Sequence, residues 1–546
     1  MWSKLRLPLL FGIIFLVLNI GLGSWGLTET SEARYAEIGR EMFRSGDYLH
    51  PTLMGIRHYH KPPLTYYVTA LGYEIFGVNE YGARFFLSVA FVIILLLIYK
   101  TSLLLFQDKV QAISAVVLLC SFPSLLIASR VLTTDLYLLV FTVGSLYMFL
   151  RYRLKGGNLN LYGFFALMGL GVLTKGPAIF IPVGMFLICW GYARKERPRL
   201  SLHLVLGFLL FFTIGGAWFL AVMGDNPKFL DYFISTQIIH RAIAADDMHR
   251  SKPFWYYIVL LPVLGFPWLP ILIVEFSTAR YRIRNFFRQD ILKILAFTAL
   301  LILLAFSFIS SKLIPYILPV FPLLALLGGR FIPEISERRL KTYTLVFLGL
   351  CLLLLAALGV MFFIPEIQVE AGWLLLLAAS ICLSIIIARY RRGLNSLNRL
   401  MLLSLIFSAG ILLTFTLFAS QNPRDIKTYK EVITRIRENK RVPLNTLFIY
   451  NIWVPSASFY LDRDVVTIKE GDERVDRDIR FEKDSLYKNT LIDLEVPEDL
   501  ARLEQMLKKK NQAFLRLQKD TLPENLNEAV GRFPHKDSVD RYIIYY

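Results

Sequence analysis

Apolar residues recur along this chain in runs of membrane-crossing length, separated by short polar stretches, from near the N-terminus to about residue 420. A hydrocarbon core of roughly 30 Å requires about 20 apolar residues in an α-helix. The runs at 7–26, 82–105, 112–128, 135–151, 159–174, 176–193, 201–223, 254–276, 291–310, 313–330, 342–364, 372–388 and 400–420 meet that requirement. The pattern predicts a membrane α-helical bundle of about 13 transmembrane helices. No small-residue cleavage site follows the first run, which reads as a retained anchor.

Two regions break the pattern. In 27–81, Ala33, Ala36, Ile38, Met42 and Phe43 recur at helical spacing among charged residues, which predicts a helix from 31 to about 43 with Ser31 as its N-cap. The apolar, aromatic stretch 64–76 is short for a span and reads as a helix lying along the membrane surface. Gly46, Pro51, Gly55 and Lys61-Pro62-Pro63 supply turns between them. Residues 421–546 are mostly charged, with β-like runs at 446–450, 465–468 and 490–494, amphipathic helical patterns at 424–438 and 497–510, and a closing run Tyr542-Ile543-Ile544-Tyr545-Tyr546. That alternation predicts a small α/β domain. The expected domains are therefore 1–420, a membrane domain that includes the loop 27–81, and 421–546, a soluble α/β domain.

Composition agrees, with 55% hydrophobic residues and 42 Phe. The net charge of +18 changes the picture only through its placement. Basic clusters at Arg151/Arg153/Lys155, Arg194/Lys195/Arg197/Arg199, Arg280 to Arg288, Arg338/Arg339/Lys341 and Arg389/Arg391/Arg392 follow alternate spans. Positive loops stay cytoplasmic, so these clusters set a topology and are not a nucleic-acid surface. The loop 27–81, the turns near Asp135, Lys175 and Lys312, the loop 224–253 and everything beyond about 421 then face the periplasm of an inner-membrane protein. The four cysteines all lie in apolar runs, which argues against a disulfide framework or a thiolate metal site.

Charges at the outer ends of spans are the candidates for chemistry, since ionisable groups near hydrocarbon are costly and usually line cavities or bind ligands. The cations are Arg34, Lys61, Lys175 and Lys312; each can alternatively snorkel to lipid phosphates. Together they suit an anionic headgroup whose tail lies among the helices. Pro177 and Pro315 set helix starts beside Lys175 and Lys312. The carboxylates are Glu29, Glu32 and Asp135; Asp135 can instead serve the positive end of a helix dipole. His60 and His240 are candidate ligands of a divalent metal ion, without a recognised metal-binding spacing.

The motifs Ser31-Glu32-Ala33-Arg34-Tyr35-Ala36-Glu37-Ile38-Gly39-Arg40-Glu41-Met42, Tyr59-His60-Lys61-Pro62-Pro63-Leu64, Leu173-Thr174-Lys175-Gly176-Pro177 and Ser311-Lys312-Leu313-Ile314-Pro315-Tyr316 occur in that order. In this the chain resembles the aminoarabinose transferases of lipid A and the wider protein mannosyltransferase-like group, which have the GT-C fold. The resemblance implies an inverting glycosyltransferase that uses an undecaprenyl-phosphate-linked sugar and a lipid or glycolipid acceptor, lipid A first among them, with membrane lipids as surroundings and no nucleic-acid partner. It also implies that Arg34, Tyr35, Tyr59, Lys61 and Tyr316 contact donor phosphate or sugar, and that His240 and Arg241 match the family's pair before Pro253. Ser31 stands where the family has an aspartate, leaving Glu32 or Glu29 as the catalytic carboxylate, Glu32 favoured. His60 stands where aminoarabinose transferases carry a glutamate. The rival expectation, a transporter or flippase of an anionic polyprenyl-linked lipid, calls for midplane charges and paired broken helices, whereas the charges here gather at one face.

Overall fold

The computed structural model describes residues 7–29, 31–195, 200–240, 252–278, 286, 288–361, 363, 371–390, 394–438, 445–471, 479–509, 511–539 and 541–546. By packing, the chain forms two compact units: Met1–Ser24 with Arg84–Gln421, and Trp25–Ala83 with Asn422–Tyr546.

The first unit is helical. Each of the thirteen apolar segments carries helix, but among the described residues seven helices are long and apolar enough to cross a membrane unaided, or eight if a bent pair counts as one. The others are shortened for local reasons. The expected span 254–276 is divided into Tyr256–Leu264 and Trp268–Thr278, which meet at 106° across Gly265-Phe266-Pro267. The expected span 313–330 begins as a 3-10 turn, Ile314–Ile317, and becomes α-helix only at Val320–Phe331, because Pro315 and Pro319 have no N–H to give. The stretch Asn158–Arg194 is broken by a second 3-10 turn, Gly176–Ile179, at whose start Gly176 takes a φ of 61°.

Close approach of backbones holds these helices together, as it must where lipid is as apolar as leucine. A Cβ on Gly329 would stand 2.7 Å from the Gln111 carbonyl oxygen, so the helices Val320–Phe331 and Lys109–Ser121 touch at a position only glycine permits. Two buried arginines serve the end of the first helix, Leu7–Asn19: Arg130 donates to the Ile20 carbonyl at 2.9 Å and Arg84 to that of Leu22 at 3.0 Å. These carbonyls lie beyond the last intrahelical bonds and have no water to turn to.

The second unit has a six-stranded sheet. With β1 (Thr52–Leu53) and β2 (Ile56–Arg57) forming a separate hairpin, the sheet comprises β3 (Thr446–Tyr450), β4 (Val466–Lys469), β5 (Leu491–Asp493), β6 (Gln512–Leu517), β7 (Lys536–Val539) and β8 (Tyr542–Tyr545), in the order β5-β4-β3-β6-β8-β7. The first four are mutually parallel and β8 is antiparallel to both neighbours. The three expected strands all lie in it; β6, β7 and β8, and the helices Pro455–Leu461 and Glu524–Gly531, were not legible in the pattern. Phe448, Tyr450, Ile468, Ile492, Leu503 and Phe514 form its core.

The loop 27–81 folds with this unit, where the sequence pattern grouped it with the membrane helices. Helix Ser31–Ser45 buries Ala33, Ala36, Ile38 and Met42 and packs on Leu64–Phe76 and Pro455–Leu461. Ser31 is the first residue of the helix and not its cap; Glu32 turns back to accept from the Thr28 N–H (2.9 Å) and hydroxyl (3.0 Å) instead. Met54 and Gly55 join β1 to β2 with φ of 52° and 73°, the two positive values of a tight hairpin turn.

A buried ion pair lies inside this packing. Arg40, 1% exposed, binds both oxygens of Glu37 at 2.8 and 2.6 Å and reaches Asp462 at 3.3 Å. Burial raises the pKa of Glu37 against the Arg40 bonds that lower it, and burial with the Glu37 charge pushes Glu41 up to about 8. Arg40→Ala therefore strands buried carboxylates and is expected to cost about 3–5 kcal/mol, read as a lowered melting temperature of the purified protein. Arg40→Leu combined with Glu37→Leu is expected to recover most of the loss; equal damage from the double variant would mean that the ion pair is not what the helix depends on.

Candidate active site

Helix Ser31–Ser45 positions the first group of candidates. Just before it, the Glu29 N–H donates to the Lys427 carbonyl at 2.9 Å, which fixes the residue's backbone, and Glu29 Oε1 accepts from the Ser456 N–H at 3.1 Å. The other oxygen, Oε2, is buried without a hydrogen-bond partner. Burial pushes the Glu29 carboxyl up to about 7, the Ser456 bonds and the Arg34 charge holding it lower than burial alone would. A carboxyl so placed exchanges a proton near neutrality, as a general base must. Glu32, 1% exposed, is engaged by Thr28, a structural use of its carboxylate.

Arg34 lies one helical turn beyond Ser31, its guanidinium 5.0 Å from the centre of the Trp453 ring and its Nε buried without a hydrogen-bond partner. Stacking orients a guanidinium while leaving its edge free for an anion. Tyr35 packs against Tyr66 (5.9 Å) and Tyr59, fully buried, against Phe481 (5.0 Å). Lys61 follows, partly exposed, ahead of helix Leu64–Phe76. The structure thus brings Glu29, Glu32, Arg34, Tyr35, Tyr59 and Lys61 into one unit with Trp453 and Ser456, which sequence reasoning missed. The available signal was the run Asn451-Ile452-Trp453-Val454-Pro455 directly after β3, the carboxyl end of a parallel strand, where α/β sheets place ligands.

The membrane unit holds the second group. Lys175 Nζ meets Asp135 Oδ1 at 2.5 Å and lies 4.9 Å from the centre of the Tyr316 ring. Lys312 is buried, donates to the Ile309 carbonyl at 2.7 Å, and has its pKa drawn down by burial. Tyr257 donates to the Leu313 carbonyl at 2.9 Å, bracing the same turn. Asp135, Lys175 and Tyr316 are thus joined, and the 3-10 turns after Lys175 and Lys312 stand where Pro177 and Pro315 led one to expect helix starts. Arg241 and the His240 side chain lie outside the described residues.

Among the described residues no three His, Cys, Asp or Glu side chains converge as metal ligands. His60 packs ring against ring with His58, 3.8 Å between centres, and its expected partner, the His240 side chain, lies outside the described residues.

A family model described as dolichyl-phosphate-mannose-protein mannosyltransferase matches residues 60–218. The undecaprenyl phosphate-α-4-amino-4-deoxy-L-arabinose arabinosyl transferase 2 of Pseudomonas fluorescens is 30% identical over 61% of this chain and 61% of its own length. The corresponding transferase of Pseudomonas paraeruginosa is 32% identical over 66% of this chain and 65% of its own. The chain thus spans somewhat less than two thirds of these curated relatives. The crystal structure of ArnT from Cupriavidus metallidurans bound to undecaprenyl phosphate superposes with a TM-score of 0.76 over 98% of this chain and 97% of that one, at 21% identity, a likeness of fold. With its membrane helices and its sheet-containing domain, the chain thus has the fold of that crystal structure, and it is similar in sequence to aminoarabinose transferases and, over residues 60–218, to the mannosyltransferase family model.

Proposed function

We propose that this multi-pass membrane protein is a glycosyltransferase that moves a sugar from an undecaprenyl-phosphate donor to a lipid acceptor, lipid A or another glycolipid, on the periplasmic side of the inner membrane. The observation that carries the reading is Glu29: a buried carboxyl with one oxygen unengaged, near the charge of an Arg34 braced on Trp453. The names of the relatives support the donor class, and the basic clusters after alternate spans support the orientation.

The chemistry is a single displacement. An acceptor oxygen attacks the anomeric carbon, the bond from that carbon to the donor phosphate breaks, and the phosphate leaves with the electron pair. Arg34 and Lys61 stabilise the departing phosphate, as fixed donors do where charge develops. Tyr35 and Tyr59 border the sugar. On the membrane unit, Lys312 and the Lys175–Asp135 pair with Tyr316 are further candidates for the donor's phosphate. Glu29 orients the acceptor oxygen and takes its proton where it carries one. Glu32 keeps the turn in place.

Purified protein mixed with a labelled undecaprenyl-phosphate sugar and a lipid extract is expected to yield a labelled glycolipid; donor crossing liposome leaflets with no new product would overturn the transferase reading. Because Glu29 must be ionised to accept a proton, activity with a hydroxyl acceptor is expected to rise with pH through about 7. Glu29→Gln should flatten that rise and lower kcat about 100-fold, whereas Glu32→Gln should mainly lower the melting temperature. The reverse pattern would return the catalytic role to Glu32. Lys175→Met alone leaves Asp135 without its partner and is expected to destabilise, and adding Asp135→Leu to restore stability; activity that returns with stability would show Lys175 to be structural.

A further inference from the structure

A cavity of about 460 Å³ opens among the helices Thr134–Lys155, Asn158–Lys175, Phe180–Arg194 and Leu202–Asp225 of the first unit. Its depth follows from where its walls begin and end. Along Phe180–Arg194 the lining runs from Trp190 back to Phe180, and along Leu202–Asp225 from the N-cap Ser201 to Phe211. Either stretch covers about 15 Å at 1.5 Å per residue, half of a hydrocarbon core of roughly 30 Å. The cavity is therefore about as deep as one leaflet. Its walls are stiff rings that hold the space open: Phe165 and Phe208 lie 4.7 Å apart, Phe149 and Trp190 5.5 Å. A Cβ on Gly191, which also lines the cavity, would meet nothing within 4 Å. Water finds few partners on such walls, whereas a hydrocarbon chain fits them.

The polar groups of the lining gather at one end and define the class of ligand. Arg153 comes from the last turn of Thr134–Lys155 and Ser201 from the start of Leu202–Asp225. Ser201 Oγ accepts from the Leu204 N–H at 3.2 Å, which leaves its own proton for an acceptor. Arg194, in the last turn of Phe180–Arg194, stands over the Trp190 ring at 5.4 Å. No carboxylate lines the cavity, and Asp290, which lies near Arg194, is bonded to Lys293 at 2.8 Å. The ligand is thus an apolar chain one leaflet long that carries an anion at its outer end. Basic pockets between membrane helices suit anionic lipid headgroups. The donor-phosphate candidates are remote: Lys175 ends the helix in whose first turn Leu161 lines the cavity, about 20 Å further along at the same rise.

We propose that this cavity binds one acyl chain of an anionic phospholipid from the leaflet at the basic end of these helices, with Arg153 and Arg194 facing its phosphate. The site is separate from the candidate catalytic residues and does not rest on the transferase reading. The test uses the full chain in phosphatidylcholine nanodiscs doped with a phosphatidylglycerol that carries a diazirine at the end of one acyl chain, the labelled peptides being mapped by mass spectrometry. Light is expected to label, saturably, the peptides that hold Met168, Phe180 and Phe211, which line the deep end. Unlabelled phosphatidylglycerol is expected to compete more than about fivefold better than added phosphatidylcholine of the same chains. Arg153→Gln, at an exposed position, should cut that preference about fivefold. Gly191→Leu puts a side chain into open space and replaces glycine by a better helix former. It should lower the labelling about tenfold with the melting temperature unchanged or raised. Labelling that does not saturate, equal competition by phosphatidylcholine, a preference unchanged in Arg153→Gln or labelling unchanged in Gly191→Leu would overturn the proposal. So would undecaprenyl phosphate competing as well as phosphatidylglycerol, which would give the cavity to the donor lipid.

Discussion

The guanidinium of Arg40 is the group on which the second unit depends most. It is withdrawn from water, so its charge must be matched inside the protein, and Glu37 does this through both oxygens from one helical turn away. Asp462, after helix Pro455–Leu461, takes a further contact from Arg40 and one from Arg44. Each partner is fixed by the others: moving helix Ser31–Ser45 off the C-terminal segment would leave Glu37 and Arg40 buried with an incomplete set of bonds. A pair of this kind adds little net stability but makes departures from it costly. The loop after the first membrane helix is thereby held in register with residues more than 400 positions later.

That register sets up the site. With helix Ser31–Ser45 in place, the segment ahead of it runs back against residues 427 and 456, and Glu29 becomes a carboxyl held by one oxygen. Trp453, on the chain leaving β3, underlies Arg34. Burial acts differently on the neighbouring carboxyls. Glu32 spends its capacity on the Thr28 N–H and hydroxyl, while Glu29 keeps an oxygen unused and a pKa near neutrality. A serine at position 31 is compatible with this, since the carboxylate that matters need not come from the helix.

Local patterns were legible wherever one kind of neighbour decides the outcome. Helix Leu64–Phe76 and strand Thr446–Tyr450 lie where periodicity places them, because a continuous apolar face has only one way to be buried. Segments whose identity depends on partners were read less well. The run 313–330 looks like a span in hydropathy, but its prolines delay the helix to Val320. β6, β7 and β8 were missed, β7 being an edge strand with mostly exposed residues and therefore little pattern of its own.

The sequence by itself determined that the chain is a membrane protein with an α/β segment after its apolar runs, which charges belong to the loop after the first span, and which lysines stand beside proline-started turns; each of these depends on hydrophobicity, spacing or backbone chemistry within some twenty residues. Only the tertiary structure decided that the loop 27–81 folds with residues 422–546, that Asp135 and Lys175 are a pair, and that Glu29 and not Glu32 keeps an unengaged oxygen. The physical reason is that desolvation and pairing are set by whatever group arrives from elsewhere in the chain. Ser456 and Trp453 are more than 400 residues from the side chains they tune, and no local pattern records their arrival.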